Sequence, residues 1–424
     1  MKLLWRRWCL ALLASTVLAG SASAQKALTW EEIRAKFDSA NPSLRAGQIG
    51  VEESRAQEIT AYLRPNPQFT FTADGLQLTP DAGHWQPLAG LVKSPSISQL
   101  IERQNKRALR RDSARQATGI ATSQLADQER NLLFTLRQAF VQTLQEKAIL
   151  ALARENLSYY DHLLGVNGDR YKAGAIAQVD LDRLELQRVQ YESDLQTAEV
   201  NLRTAKIQLL GLLNERTPVE QFDVTGQFDF SAQIDILEEY RKVALETRPD
   251  LKAALQSVEK AKTDNRLAWA NGSVDPTIAS WYSRNPSFNN PFDVNTLGAS
   301  VSIPLRIFDR NQGEKKRTQL DIDRNEKLME ATRAQIFSDV DSAYATVTST
   351  VTLLQPYKER YLQQASRVRD TISFSYEHGA ASLLDFLNAQ AGYRSVQVSY
   401  LNLVAAYLNA ANQLNQAVGR EVLQ

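Results

Sequence analysis

Two short turns carry the side chains whose types and spacing are best suited to recognition. The stretches RYKAGAIAQVD (170–180) and SYEHGAASLLD (375–385) each contain an aromatic residue, a glycine and an aspartate in the same order. Glycine adopts the left-handed backbone that ends many helices, and an aspartate is stabilised at the positive N-terminus of the next helix. Each turn therefore predicts a helical hairpin with a carboxylate at its tip. The matched positions, 205 residues apart, are Tyr171, Gly174 and Asp180, then Tyr376, Gly379 and Asp385.

The two turns differ at the residue that begins the second helix. Ser382 lies three residues before Asp385, which is the spacing of a capping box, whereas Ala177 occupies the equivalent position in the first turn. We therefore expect a weaker cap in the first copy. A well-capped hairpin would account for all of these residues without any further function, so a structural and a functional interpretation both remain open.

The rest of the sequence offers little for catalysis or metal binding. The histidines, His84, His162 and His378, are far apart, and no pair has the spacing of ligands on one helix. Neither a Ser-His-Asp arrangement nor a phosphate-binding glycine loop is present. We expect no catalytic residues, no metal site and no cofactor.

The first 24 residues have the composition of a secretory signal peptide. A basic start is followed by an apolar run over 10–20 and by small residues up to Ala24. The run is shorter than the ~20 residues of a spanning helix, which favours a cleaved signal over a retained anchor. Cleavage would remove three of 49 basic residues and the single cysteine, leaving 46 basic against 48 acidic residues. This balance does not suggest a nucleic-acid partner.

The chain has the pattern of an internal duplication. NPSLRAG (41–47) matches RPDLKAA (248–254), and NPQFTFTADG (66–75) matches DPTIASWYSR (275–284), at offsets of 207 and 209. Matched segments that keep the same order, with offsets that differ by only a few residues, indicate an internal duplication. We predict one repeat over 25–220 and a second over 221–424. Each is expected to run short helix, strand, loop, strand, very long helix, glycine turn, shorter helix.

Unusually long helices are predicted on either side of the turns. Residues 103–171 contain no proline, and residues 314–377 contain only Pro356, which should bend the helix. Sixty residues of helix span ~90 Å. After the first turn, apolar or long side chains alternate at intervals of three and four, which favours coiled-coil packing over the buried stripe of a globular helix. This seam is Leu181, Leu184, Arg188, Tyr191, Leu195, Ala198, Leu202, Ala205, Leu209 and Leu212.

Four candidate strands complete the two repeats. Residues 297–307 alternate apolar with small or polar side chains, and 68–72, 277–282 and the stretch from Ser96 are similar in kind. About ten residues suffice for a tilted strand to cross a bilayer, although a half-buried strand in a soluble sheet would show the same alternation. Four strands leave unpaired edges in hydrocarbon, so a barrel would have to be assembled from several chains.

These features together resemble the TolC-type outer-membrane efflux proteins. The resemblance runs from NPSLRAG to LNQAVGRE, and the RYKAGAIAQVD turn with its following heptad helix is its most recognisable part. It implies an α+β membrane protein with long antiparallel helical hairpins and four transmembrane strands per chain. Three chains would form a twelve-stranded β-barrel in the outer membrane and a helical tunnel across the periplasm. SIPLRIFDRNQGEKKR (302–317) is similar to the heavy-metal branch of this family.

The resemblance also implies a function. The chain would be a passive homotrimeric conduit in a tripartite efflux pump, not an enzyme, with a periplasmic adaptor, an inner-membrane pump and outer-membrane lipid as partners. The turns would form the periplasmic tip, with adaptor-contact candidates Tyr171, Gly174, Asp180, Tyr376, Gly379 and Ser382. Asp385 and Asn388 would line the pore aperture, where Asp385 becomes a ring of three carboxylates. Asn388 stands where relatives often carry a second acidic residue.

Several questions stay open on the sequence alone. A periplasmic coiled-coil adaptor and a structural envelope protein are the alternative functions, and the cargo is either metal ions or other small molecules. A charged cluster follows the second candidate strand, and we interpret it as a solvated interface just below the membrane rather than a binding site. Its members are Glu102, Arg103, Lys106, Arg107, Arg110 and Arg111.

Overall fold

The computed structural model describes residues 27–80, 83–88, 90–231, 233–285 and 294–423. The predicted signal peptide lies outside these residues. Within them the chain is mostly helical, with one small antiparallel sheet.

The two halves of the chain repeat the same order of elements. The first half contains α1 (Trp30–Ala40), α2 (Pro42–Tyr62), β1 (Gln68–Asp74), β2 (Val92–Leu100), α3 (Lys106–Lys172) and α4 (Gln178–Leu212). A short 3₁₀ turn follows at Val219–Gln221. The second half contains α5 (Leu237–Thr247), α6 (Pro249–Asn271), β3 (Thr277–Asn285), β4 (Val294–Ser302), α7 (Gln312–Pro356), α8 (Leu362–Glu377) and α9 (Leu383–Val418).

Each half begins with two helices, not with the single short helix that the sequence predicted. Pro42 and Pro249 are the first residues of α2 and α6, and the residues before them, Asn41 and Arg248, have extended backbone. A proline suits the first helical position but disfavours helical backbone in the residue that precedes it. The helix therefore stops and restarts at this point in both copies.

The predicted helix over residues 314–377 is interrupted at Pro356, about two-thirds of the way along it, which is where the sequence predicted a bend. α7 ends at Pro356, a π-helical turn follows at Tyr357–Tyr361, and α8 continues from Leu362. Proline has no amide N–H and its ring crowds the preceding turn, so the regular hydrogen-bond ladder is lost there. A π turn is one of the recognised ways in which a long helix accommodates such a break.

The four strands form one antiparallel sheet in the order β1-β2-β3-β4, which confirms the predicted number of strands. The register places Phe69 opposite Ile97, Ile278 opposite Val301, and Tyr282 opposite Leu297. Residues directly opposite each other share a face, so one face of the sheet is apolar. The other face carries the ring of Trp281 and otherwise mostly small and hydroxyl side chains, including Thr70, Ser96, Ser98, Ser283, Thr296 and Ser300.

The last strand is shorter than predicted. β4 ends at Ser302, which pairs with Thr277 at the start of β3, so residues 303–307 lie beyond the ladder. Pro304 has no amide hydrogen to donate, which ends the strand pattern even though the apolar alternation continues. Ile303, Leu305 and Ile307 remain exposed in the segment that leads to α7.

The coiled-coil seam of α4 is confirmed. Leu184, Tyr191, Ala198 and Ala205 are buried at intervals of seven residues, and the other seam positions are buried or half-buried. A seven-residue repeat keeps the same side of a helix against its partner, which here is α3. None of the helices described combines the length and the apolar character that crossing a membrane would need.

One glycine of the sheet is held by close packing, and this leads to a testable prediction. A Cβ at Gly298 would overlap the indole ring of Trp281, its partner on β3. We expect Gly298→Ala to displace that ring and to lower stability by about 1–2 kcal/mol. Thermal unfolding in detergent would measure the change. In the matched control, Gly165→Ala in α3, the new Cβ meets nothing within 4 Å, and we expect unchanged or slightly increased stability.

Candidate functional site

The two repeated turns have the same backbone geometry. Gly174 and Gly379 have φ angles of 74° and 75°. The amide of Ala175 donates to the carbonyl of Arg170 at 2.8 Å, and the amide of Ala380 donates to the equivalent carbonyl of Ser375 at 2.7 Å. These bonds close the last turn of α3 and of α8, as in a Schellman-type helix end. The prediction of two equivalent, glycine-ended helical hairpins is confirmed.

The helix caps after the two turns differ as expected. Ser382 and Asp385 form a capping box at the start of α9, in which the Ser382 hydroxyl accepts from the Asp385 amide at 3.1 Å. One carboxylate oxygen of Asp385 accepts from the Ser382 hydroxyl at 2.7 Å and from its amide at 3.3 Å. Ala177 gives α4 no such bond. The Asp385 carboxylate is thereby anchored through Oδ2, while Oδ1 has no bond among the described residues.

The two tips join through an aromatic cluster. Tyr160 and Tyr191 of the first hairpin stack at 4.5 Å between ring centroids, and Tyr376 and Phe386 of the second stack at 4.8 Å. The Tyr160 hydroxyl donates to the carbonyl of Leu184 at 3.0 Å. Burial raises the pKa of Tyr160 and also that of Tyr376, so both phenols stay neutral. We call these residues, with Leu184 and Leu383, the tip cluster.

The two equivalent tyrosines of the turns occupy opposite environments. Tyr171 is exposed, whereas Tyr376 is buried within the tip cluster at 7% exposure. The two hairpins therefore meet asymmetrically, although their turns are alike. Tyr376 packs inside the protomer, so its predicted contact with an adaptor would have to act through this packing.

A buried asparagine, which the sequence comparison did not find, links the two tips. Asn167 of α3 accepts hydrogen bonds at 3.4 Å from the hydroxyl of Tyr376 and from the guanidinium of Arg170. That guanidinium also lies 5.2 Å from the centroid of the Tyr376 ring. Asn167 and Tyr160 were missed because residues 205 positions later, Ile372 and Ala365, are of another type. Comparison of the two copies finds only what both copies share.

The remaining predicted tip residues are exposed, except that Asp180 is half-buried. Asp385 and Asn388 are exposed and lie three residues apart in the first two turns of α9, and therefore on one side of that helix. Asp180 is half-buried and lies 3.8 Å from the guanidinium of Arg183. Among the residues described, no group of three or more His, Cys, Asp and Glu side chains is placed to hold a metal ion.

The difference between the two caps gives a prediction with its own control. Ser382→Ala should remove the capping box and destabilise the second tip by about 1 kcal/mol. Ala177→Ser should instead stabilise the first tip, because it supplies a hydroxyl three residues before Asp180. Amide hydrogen exchange across residues 375–390 and 170–185 would measure both effects. Equal protection of the second tip in Ser382→Ala and the unaltered protein would contradict the prediction.

The fold and the tips define a class of protein with long paired helical hairpins and a small, two-faced sheet. The family model "Outer membrane efflux protein" matches residues 36–215 and again 241–420. The chain belongs to the outer membrane efflux protein family, and the predicted resemblance is confirmed. It is an outer-membrane efflux channel and not a periplasmic adaptor or a structural coiled coil.

Individual relatives support this assignment. The cobalt-zinc-cadmium resistance protein CzcC of Cupriavidus metallidurans is 23% identical over 395 residues, covering 93% of this chain and 90% of that protein. The pyoverdine export outer membrane protein OpmQ of Pseudomonas aeruginosa is 25% identical, covering 69% of this chain and 62% of OpmQ. The crystal structure of the transmembrane channel CusC superposes with a TM-score of 0.76 at 18% identity and covers 92% of each chain.

Proposed function

We propose that three copies of this chain form the exit duct of a tripartite efflux pump. The strands of the three copies close a twelve-stranded barrel in the outer membrane, and the helical hairpins extend into the periplasm after removal of residues 1–24. A periplasmic adaptor meets the tips, and an inner-membrane pump supplies the energy. The duct itself carries out no chemistry.

The observation that carries this proposal is the open, two-faced sheet. Its apolar face includes exposed Phe69, Phe71, Ile97, Leu297 and Val301, while its other face is mostly small and polar apart from Trp281. β1 and β4 are the outer strands and have no further partner among the described strands. An apolar face suits lipid, but open edges in lipid cost several kcal/mol for each unpaired group. Pairing β4 of one copy with β1 of the next removes both edges.

Cell fractionation and gel mobility would test this assembly. We expect the protein in the outer-membrane fraction, soluble only with detergent, and migrating as a trimer unless the sample is boiled. A soluble periplasmic monomer would overturn the proposal.

The tip would act as both contact surface and aperture. Tyr171, Gly174, Asp180, Gly379 and Ser382 lie at or beside the turn surfaces, where an adaptor could reach them. Asp385 and Asn388 share one side of α9, and threefold symmetry would gather three copies of that side around the axis. Opening would then shift the packing of the tip cluster while the barrel stays fixed.

The aperture assignment predicts a change in ion conduction. Three Asp385 carboxylates around a narrow opening would attract cations, so Asp385→Ala should weaken block by multivalent cations in planar-bilayer recordings. Asp385→Asn separates charge from shape, because the amide still accepts from the Ser382 hydroxyl. Unchanged conductance and block in both variants would remove Asp385 from the aperture.

We favour divalent metal cations as the cargo. CzcC matches nearly the whole chain, and residues 302–317 carry the motif similar to the heavy-metal branch. The match to OpmQ makes a small organic molecule the second candidate. Deletion of the gene should lower tolerance to cobalt, zinc or cadmium in the first case and export of an organic compound in the second.

A further inference from the structure

The chain segments that join the strands to the helices all lie at one end of the sheet. Leu100 at the end of β2 pairs with Thr277 at the start of β3, which pairs with Ser302 at the end of β4. β1 begins at Gln68, opposite Ser98. We call the four segments 62–67, 101–111, 271–276 and 303–317 the junction collar.

The junction collar is strongly basic although the chain is nearly neutral. It contains 11 lysines and arginines against four acidic residues, whereas the whole chain has 49 against 48. Its acidic side chains are already engaged within the protomer. Glu102 pairs with Arg110, Asp275 with Lys106, and Glu314 with Arg317. Asp309 accepts a hydrogen bond from the backbone amide of Asn311 at 2.8 Å.

Burial separates two kinds of basic residue in the collar. Lys106 is 3% exposed and bonds Asp275 at 2.6 Å and the carbonyl of Ser273 at 3.0 Å, so the interpretation of this cluster as solvated is wrong for Lys106. Four other side chains are exposed and make no hydrogen bond or ion pair within the described part of the chain. These are Arg64, Arg103, Arg310 and Lys316.

Exposed apolar and aromatic groups lie among these charges. Leu305 and Phe308 are 78% and 89% exposed. The Arg107 guanidinium lies 4.0 Å from the ring centroid of Tyr62, and the Lys315 ammonium lies 4.4 Å from that of Trp269, just before the collar. Apolar groups that reach toward acyl chains, with aromatic rings and basic ends at phosphate level, are characteristic of a membrane interface.

We propose that the junction collar binds anionic phospholipid headgroups of the leaflet on the helical side of the barrel. The inference rests on the proposed embedding of the strands in a bilayer. Leu305 and Phe308 would enter the acyl region, and the four unpaired basic side chains would face lipid phosphates. The excess of seven positive charges would then fix the depth of the barrel in the membrane.

Lipid competition at Trp269 would test the proposal. The trimer carries Trp30→Phe, Trp85→Phe and Trp281→Phe, so that Trp269 is the one tryptophan left once residues 1–24 are removed, and it is reconstituted in phosphatidylcholine vesicles. Quenching of its fluorescence by brominated phosphatidylglycerol or brominated phosphatidylcholine then reports the relative association of the two lipids. We expect phosphatidylglycerol to be preferred by at least about fivefold, the factor for one basic side chain near an anionic lipid.

The decisive variant neutralises the four unpaired residues together: Arg64→Gln, Arg103→Gln, Arg310→Gln and Lys316→Gln. We expect the ratio of phosphatidylglycerol to phosphatidylcholine association to fall close to one in this variant. A matched control neutralises four exposed basic residues outside the collar, Arg203, Arg216, Lys242 and Arg333, and should keep the preference. A preference retained by the collar variant, or lost equally in the control, would overturn the proposal.

Two further measurements separate the possible failures. An unboiled gel and a conductance recording on the same vesicles report whether a trimer has inserted, and their failure counts against the proposed function. An inserted trimer without lipid preference counts against the collar alone. If the collar variant does not assemble, the protein with an unaltered collar provides the test. Its preference for phosphatidylglycerol over phosphatidylcholine should shrink when the salt concentration is raised from 0.05 to about 0.5 M. A preference insensitive to salt would overturn the collar.

Discussion

Replacement of Arg248 by methionine is expected to lower the free energy of unfolding by about 3 kcal/mol. Arg248 is 5% exposed and bonds Asp250 at 2.6 Å, Asp339 of α7 at 2.8 Å and the carbonyl of Ala417 in α9 at 3.1 Å. Its removal would take the guanidinium away from both carboxylates and from the carbonyl, leaving Asp339 only its bond from Gln335 among the described residues. Loss of a buried charged partner costs far more than loss of an exposed ion pair.

The first repeat supplies a matched control for this substitution. Asn41 is the counterpart of Arg248, and its side-chain amide donates to the carbonyl of Leu212, 205 residues before Ala417. Asn41 also caps α2 by accepting from the amides of Ser43 and Leu44 at 3.0 Å. Asn41→Ala removes neutral hydrogen bonds only, so we expect a loss of about 1–2 kcal/mol. Urea unfolding in detergent, followed by circular dichroism, would compare the two, and an equal loss would contradict the role of charge.

The Arg248 substitution should also change the dependence of stability on pH. Burial pushes the pKa of Asp250 up, but the hydrogen bonds and charge of Arg248 pull more strongly, so that pKa lies below its ordinary value. A depressed carboxyl pKa adds stability above the unfolded value near ~4 and loses it as the pH falls. Without Arg248, only the charge of Arg130 and the backbone amide of Leu251 still oppose burial, so most of this contribution is lost. The stability gap between the two proteins should therefore narrow below about pH 4, and a constant gap down to pH 3 would argue against the linkage.

The features that the sequence predicted well are those that local chemistry or duplication imposes. The two turns were predicted from the glycines Gly174 and Gly379, and the capping box from the spacing of Ser382 and Asp385. The α4 seam was predicted from its seven-residue repeat. Each of these signals lies within one helix or one turn. The trimeric assembly was predicted from the resemblance to a known family, because a single chain does not reveal it.

The features that the sequence did not predict depend on contacts between distant segments. Tyr171 and Tyr376 are equivalent in sequence, yet only Tyr376 is buried, because the hairpins join on one side. Lys106 belongs to a charged run but reaches Asp275, 169 residues away. The apolar alternation over 297–307 predicted too long a strand, because the pattern of side chains does not show that Pro304 lacks the amide N–H that pairing would need. The periodicity of the sequence predicts which face of a helix or strand is buried, whereas the ends and the partners of that element depend on tertiary contacts.

A charge on the apolar face of the sheet should have the largest effect on assembly. Leu297 of β4 is 84% exposed and shares a face with Tyr282, whereas the adjacent Thr296 points to the opposite, mostly small and polar face. An arginine on the lipid face of a barrel costs about 2–4 kcal/mol near the bilayer centre, and a trimer would bear that cost three times. We therefore expect Leu297→Arg to abolish the trimer in the outer-membrane fraction, as judged on unboiled gels.

Thr296→Arg is the matched substitution, one residue away with the same new side chain. On the polar face its guanidinium stays in water, so the trimer should assemble in normal amount. Three arginines would then line the barrel and shift its conductance toward anions, which reversal potentials in a salt gradient would measure. Successive strand residues point to opposite faces, so the pair separates position on the sheet from charge itself. Assembly of both variants would place Leu297 away from lipid, and failure of both would show that the strand tolerates no arginine on either face.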